Sequence, residues 1–251
     1  TRILNVRSTE NIGRTKALQF CLDLASLKYT AILDSDDVAL PSRFERQVAF
    51  LEADPSVVLV GSQYIIISES RGTMQSGHSI SGHISHDLMA ERNFFVNSTT
   101  MFRTGVARQL GGYNPIYEYA QDYDLFIRLA TKGRCFIINE PLVKFRRHSE
   151  SYTNQMPAKL SRTRDEYELF RSARHQLNLS RTGRRLNSRR QAIACFTRAL
   201  YEAKLGSKKA ALLSIILGLR SDPYLSWIPY MLRGRKAPCP HPRRTRLRFF
   251  G

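Results

Sequence analysis

Paired cysteines are missing from this sequence. Its four cysteines, Cys21, Cys135, Cys195 and Cys239, are far apart and form no Cys-x-x-Cys unit. Neither a zinc site nor a disulfide framework is indicated, and reduced thiols of a cytosolic protein are expected. Long apolar runs are also missing. The longest, AALLSIILGL at 210–219, stops at Arg220, short of the roughly 18 consecutive residues that would suggest a membrane span. The opening Thr-Arg-Ile-Leu carries no apolar signal core and no transit-peptide composition, so no export or import signal is expected. Acidic side chains are scarce in one region only. Residues 154–251 hold 5 acidic against 22 basic side chains, whereas residues 1–153 hold 16 against 17. The net charge of +18 therefore belongs almost wholly to the C-terminal region. What is present is an ordinary globular mixture, 42% hydrophobic and 24% charged over 251 residues, which excludes wholesale disorder, collagen and a disulfide mini-protein.

The pattern along the chain alternates between two periods. ILNV at 3–6 reads as a short strand, and TKALQFCLDLA at 15–25 has apolar residues at helical spacing. YTAILDSDD is a β-branched apolar run ending abruptly in carboxylates, as a buried strand does where its end reaches a site. Pro41 opens a second helix, with Phe44, Val48 and Leu51 on one face, and VVLVGSQYIII at 57–67 is again a buried strand. The expected order is βαβαβ. Residues 68–93, rich in Ser, Gly and His, read as a long surface loop or lid. Its His78, His83 and His86 match no common ligand spacing. Strand, short helix and Gly-Gly turn follow over 97–114, then a helix at 122–133 and a strand at 135–148, and the α/β region ends near Thr153. Helices are expected at about 158–180, 188–205 and 207–219.

Three groups of residues carry chemistry. Asp34-Ser35-Asp36-Asp37 packs carboxylates closely at a strand end, where they repel unless a cation or hydrogen-bonding ligand intervenes. Hard oxygens suit Mg²⁺ or Mn²⁺; an Asp-rich turn capping the next helix is the alternative. Asp122 and Asp124 open an amphipathic helix, either as reactive carboxylates or as caps favoured by the helix dipole. Arg146-Arg147-His148 would neutralise a diphosphate, or form a solvated strand end.

The order Asn11-x-Gly13, LDSDD at 33–37, P-x-R-x-x-x-Q at 41–47, Gly61, STTMFR at 98–103, GGY at 111–113, QDYDLFIRL at 121–129 and EPLVKFRRHSES at 140–151 resembles the inverting family 2 glycosyltransferases of GT-A fold. The resemblance covers nearly all of residues 3–153. It implies a Rossmann-like α/β domain of mixed sheet and flanking helices over 1–153, followed by a basic α-helical region over 154–251. It implies sugar transfer from a nucleotide-diphosphate sugar to a glycan or lipid-linked acceptor with inversion, in polysaccharide, lipopolysaccharide or other glycoconjugate synthesis. Carried over residue by residue, Asp34 and Asp36 would hold a divalent cation, Mn²⁺ or Mg²⁺. Asn11, Gly13, Asp34, Asp37, Arg146 and His148 would bind the nucleotide sugar, and Asp122 would be the catalytic base.

The sequence departs from the family in three places. Gln121 stands where the family usually has Glu. Ala17-Leu18-Gln19-Phe20-Cys21 replaces the usual A-R-N-x-G. The family's opening strand, with its P-x-Y-N stretch and D-D-x-S motif, has no counterpart, so an N-terminally incomplete or degenerate domain is expected.

Two other readings compete. The basic C-terminal region would serve a non-catalytic protein that binds nucleic acid or an anionic surface on a degenerate scaffold, although no nucleic-acid motif is found. LDSDD alone would also suit another metal-dependent phosphoryl enzyme. The apolar stretches at 210–219 and 224–232, with basic clusters at 208–209, 233–236 and 243–248, predict a chain resting on the inner face of a membrane without crossing it.

Overall fold

Alternation of apolar runs with turn residues produces, among the described residues, a seven-stranded sheet. The computed structural model describes residues 3–68, 72–76, 80–147 and 156–223. In chain order the elements are α1 (Arg14–Leu24), β1 (Tyr29–Ala31), β2 (Val38–Ala39), α2 (Arg43–Ala53), β3 (Val57–Ser68), β4 (Gly72–Ser76), β5 (Gly82–Ile84), α3 (His86–Glu91), β6 (Met101–Arg103), α4 (Thr104–Gln109), α5 (Gln121–Ala130), β7 (Arg134–Arg147), α6 (Met156–Gln176), α7 (Arg181–Lys204) and α8 (Lys208–Ser221).

The main strand order is β1-β6-β3-β7-β2, with β4 on β3 and β5 on β7. The long strands β3 and β7 run parallel, and the other pairs are antiparallel. Their register shifts where Gln63 faces Pro141, since proline has no N–H to give the ladder. Beyond that irregularity β7 carries Val143 and Lys144 against Ala39 and Val38 of β2, which brings its end to the Asp34–Asp37 turn.

One sheet face is covered by α2, whose Leu51 packs with Val57, Val60 and Met101. The other holds the larger core. Leu22, Met89, Phe102, Leu125 and Phe126 meet there, joined by Leu169, Phe170, Ala173, Leu177 and Leu179 of α6 and the segment after it. The basic helical region thus shares one hydrophobic core with the α/β part. Within that region α7 and α8 are locked by Glu202, which accepts from Arg198 Nε at 2.7 Å and Ser214 Oγ at 2.7 Å. Cys21, Cys135 and Cys195 are free thiols, and burial pushes Cys135 and Cys195 up to about 12.

Three expectations are corrected. Residues 3–6 form no strand: Ile3, Leu4 and Val6 are exposed. A four-residue run is stable only when a neighbouring strand pairs its backbone, and none does among the described residues. Residues 68–93 are not one long loop, because β4, β5 and α3 lie within them. Ser85 caps α3, Gly82 turns at φ 94°, and Ile84 and Met89 bury themselves beneath. His86 there is structural, with Nε2 against Ala130 O at 3.0 Å and Nδ1 accepting from Asn178 N at 3.2 Å. His83 is exposed, and His78 lies outside the described residues. Finally, α7 begins seven residues earlier than the apolar pattern suggests, because Ser180 accepts from Gly183 N and starts the helix.

Gly61 allows β3 to pass beneath Phe95, since a Cβ there would lie 2.7 Å from the ring. Phe95 is itself buried and has little room to yield. Gly61→Ala is expected to lower stability by about 1–3 kcal/mol, read as a reduced thermal midpoint.

Candidate active site

The site is built on a buried cation. Arg43, the first residue of α2, is 0% exposed. Its Nη2 donates to Ile32 O at 2.7 Å and Thr100 O at 3.1 Å, and its Nε donates to Gln47 Oε1 at 3.0 Å. Gln47 in turn donates to Thr99 O at 2.7 Å. One helix thus fastens the chain leaving β1 to the chain entering β6. Burial lowers the Arg43 pKa to about 10, and the Asp37 charge opposes that shift. At neutral pH the guanidinium remains charged.

The carboxylate turn follows from this anchor. Asp37 N donates to Asp34 O at 3.1 Å, closing a β-turn over Ser35-Asp36. Asp37 is buried, and its Oδ1 accepts from Arg146 N at 2.8 Å. Burial pushes its carboxyl upward, while hydrogen bonds from Ser98 and Arg146 pull it back. Its Oδ2 is buried without a hydrogen-bond partner among the described residues. Asp34 is half-buried and Asp36 exposed. Asp34 Oδ1 accepts from Arg14 Nη2 and Asn97 Nδ2, each at 3.3 Å, and Asp34 N donates to Ser98 Oγ at 3.0 Å. Arg146 Nε donates to Asp36 O at 3.0 Å.

The third part is the start of α5. Asp122 Oδ1 accepts from Tyr123 N at 2.8 Å. Burial raises the Asp122 carboxyl above the ordinary aspartate range, with the Tyr123 N–H and the Arg14 guanidinium opposing and Asp34 adding to the rise. Desolvation is the largest of these effects. Asp124 is the structural member of the pair, bonded through Oδ2 to Arg128 Nε at 2.9 Å. Arg128 also donates to Leu110 O at 2.8 Å and Gly112 O at 2.7 Å, holding the glycine turn. Gln121 is buried, so a neutral amide there avoids another desolvated carboxylate beside Asp122 and Asp124.

Of the residues anticipated from sequence, Asp34, Asp36, Asp37 and Arg146 meet at one turn. Asp122 joins them electrostatically, through the Asp34 and Arg14 charges it feels. Asn11 and Gly13 form the turn before α1: Asn11 Oδ1 accepts from Gly13 N at 3.0 Å, and Gly13 at φ 79° precedes the helix that presents Arg14. His148 lies outside the described residues. Arg14, Asn97 and Tyr113 were not anticipated as site residues. Tyr113 is 2% exposed, and its hydroxyl has no hydrogen-bond partner among the described residues. Burial raises its pKa, followed by the Asp122 charge, with Arg14 opposing and Asp34 contributing. Arg14, Asp34, Tyr113 and Asp122 therefore occupy one electrostatic neighbourhood.

Among the described residues no three His, Cys, Asp or Glu side chains converge as a metal cage. Asp34 and Asp36 offer hard oxygen donors, and Asp37 is turned inward. This fits a cation such as Mg²⁺ or Mn²⁺, which takes one or two carboxylates and fills its shell with substrate phosphate and water.

Asp165 of α6 supports α5 from behind. Its Oδ2 accepts from the N–H groups of Glu118 at 2.8 Å, Tyr119 at 2.7 Å and Ala120 at 3.4 Å. Asp165→Asn places an amide against these donors and is expected to cost about 1–3 kcal/mol, measured by chemical unfolding.

Residues 1–110 match the family model for Glycosyl transferase family 2. The chain is similar to the amylovoran biosynthesis glycosyltransferase AmsE of Erwinia amylovora, 31% identical over 124 residues, covering 49% of this chain and 46% of that protein. It is also similar to the putative glycosyltransferase EpsE of Bacillus subtilis, 29% identical over 154 residues, covering 60% of this chain and 55% of that one. The chain spans about half the length of the curated relatives it matches. Among solved structures, TarS residues 1–349 of S. aureus superposes with a TM-score of 0.58 at 12% identity, covering 86% of this chain and 63% of that one. At that identity the likeness concerns the fold. The chain resembles family 2 glycosyltransferases in sequence, its curated relatives are glycosyltransferases, and its mixed sheet with flanking helices has the GT-A fold.

Proposed function

We propose that this protein transfers a sugar from a nucleoside-diphosphate donor to an acceptor hydroxyl with inversion, in the assembly of a cell-envelope polysaccharide or related glycoconjugate. The carrying observation is the electrostatic convergence of Asp122 with the carboxylate turn at Asp34 through Arg14. The polysaccharide setting is supported by the relative named for amylovoran biosynthesis. Residues 1–153 are taken as the catalytic part, with 154–251 as a basic helical region.

Sugar transfer makes two electrostatic demands, which separate residues meet. A divalent cation on Asp34 and Asp36, when bound, would neutralise the leaving diphosphate. Arg146, fixed by its bonds to Asp37 and the Asp36 carbonyl, adds a positive charge on that side. Asp122 accepts the proton of the acceptor hydroxyl as the acceptor oxygen bonds to the anomeric carbon and the bond from that carbon to the diphosphate oxygen breaks. One base and a direct displacement suffice, so configuration inverts and no covalent nucleophile is needed. A carboxyl raised by desolvation is a stronger base than an exposed one and suits this task.

The acceptor side is proposed to face an anionic membrane. Among the described residues no helix is long and apolar enough to cross a bilayer. Helix α8, however, exposes Leu212, Leu213, Ile216 and Leu219, and Lys208, Lys209 and Arg220 lie at its ends. Such a helix lies in the interface, held by apolar burial and attraction to anionic lipid. The further apolar and basic clusters at 224–248 lie outside the described residues.

Two measurements test these readings. Asp122→Asn should keep nucleotide-sugar affinity in calorimetry while losing on the order of 10²–10⁴-fold in transfer rate, whereas Asp124→Asn should chiefly lower stability. Parental turnover in the Asp122 variant would reject it as the base. In co-sedimentation, vesicles containing phosphatidylglycerol should retain the protein better than neutral vesicles, and added salt should weaken retention. Equal retention would reject the electrostatic part of the membrane reading.

A further inference from the structure

Three helices of the C-terminal region border an open hollow of about 670 Å³ lined by the exposed Arg174, Arg181, Arg184 and Arg185. Ser188 and Ser221 also line it, and Asp222 brings one carboxylate, which leaves the lining with three excess positive charges. Arg181, Arg184 and Arg185 are spaced i, i+3 and i+4 along α7 and share one face. Arg174 reaches the same space from the last turn of α6.

Helix stability does not account for this arrangement. α7 has no acidic residue in its first turn, so its arginines stand near the positive end of the helix dipole and repel one another. Neighbouring arginines are treated differently. Arg162 pairs with Glu166, Arg171 with Glu168 and Arg198 with Glu202 on the same helices. The four cavity arginines make no ion pair with any described residue. Instead Arg174 Nη1 donates to Ser188 Oγ at 2.5 Å and Arg184 Nη1 to Leu179 O at 2.5 Å. Each of those contacts uses one N–H of a five-donor guanidinium and holds its fork in place.

We propose that this cavity is a binding site for a phosphate-bearing group, separate from the carboxylate site and independent of the function assigned to it. Several guanidinium forks around one hollow match the multiple oxygens of phosphate or diphosphate, and planar bidentate recognition is what arginine offers over lysine. An anion seated there removes the mutual repulsion of the arginines and complements the start of α7.

The test uses the whole chain with two probes, inorganic pyrophosphate and short-chain phosphatidic acid below its micelle concentration, titrated by calorimetry. The triple variant Arg181→Gln, Arg184→Gln, Arg185→Gln is compared with a control carrying Arg162→Gln and Arg171→Gln, and a thermal melt confirms that both fold. At least one probe should bind the parent and the control alike and lose at least tenfold in affinity in the triple variant. Preference for pyrophosphate identifies a free phosphate ligand, and preference for phosphatidic acid identifies a lipid head group. Absence of binding to the parent by both probes overturns the proposal. So do equal affinity in the triple variant, an equal loss in the control, and tighter binding of a random-sequence DNA duplex that the triple variant abolishes.

Discussion

A charged side chain shielded from water is the constraint around which this site is organised. Arg43 is buried and charged, a state costing several kcal/mol unless acceptors and an opposite charge surround it. The carbonyls of Ile32 and Thr100 and the Gln47 amide oxygen supply the acceptors, and Asp37 supplies the charge. Asp37 then needs donors of its own and takes one from the backbone of Arg146. The turn holding Asp34 and Asp36 is thereby fixed between an interior cation and the end of β7. The geometry of the carboxylate turn is thus tied to one buried charge.

Much of the fold was legible in the sequence. Helices α1, α2 and α5 and strands β3 and β7 follow local periodicity and lie close to where the pattern puts them. ILNV at 3–6 did not follow it, because a strand exists only when another pairs with it and no local pattern reports the partner. The 68–93 segment misled for the opposite reason. Its Ser, Gly and His residues read as loop, yet they cap and turn short elements anchored by Ile84 and Met89.

The site divides in the same way. Asp34, Asp36, Asp37 and Asp122 stood out because carboxylates at element ends are a local signal. Arg14 did not, since its tie to Asp34 spans twenty residues and joins a helix to a turn. The motif around Arg43 was visible, but its burial was not: an arginine at a helix start ordinarily reads as solvated. Asp165 sits in a stretch whose composition advertises positive charge, so one carboxylate doing backbone work there gave no sign of itself. Charge patterning marked a boundary near residue 153, whereas apolar packing runs across it through Leu169 and Phe170.

That continuity limits how the two regions can diverge. A C-terminal helical region exchanged by recombination with that of another protein must bring a carboxylate where Asp165 meets the 118–120 backbone. It must also bring apolar side chains where Leu169, Phe170 and Ala173 close the core. The outward faces of the helices carry no such obligation. Sequence drift in this region should therefore be lopsided, with the inner face of α6 changing in step with the α5 entry while the outer faces vary independently.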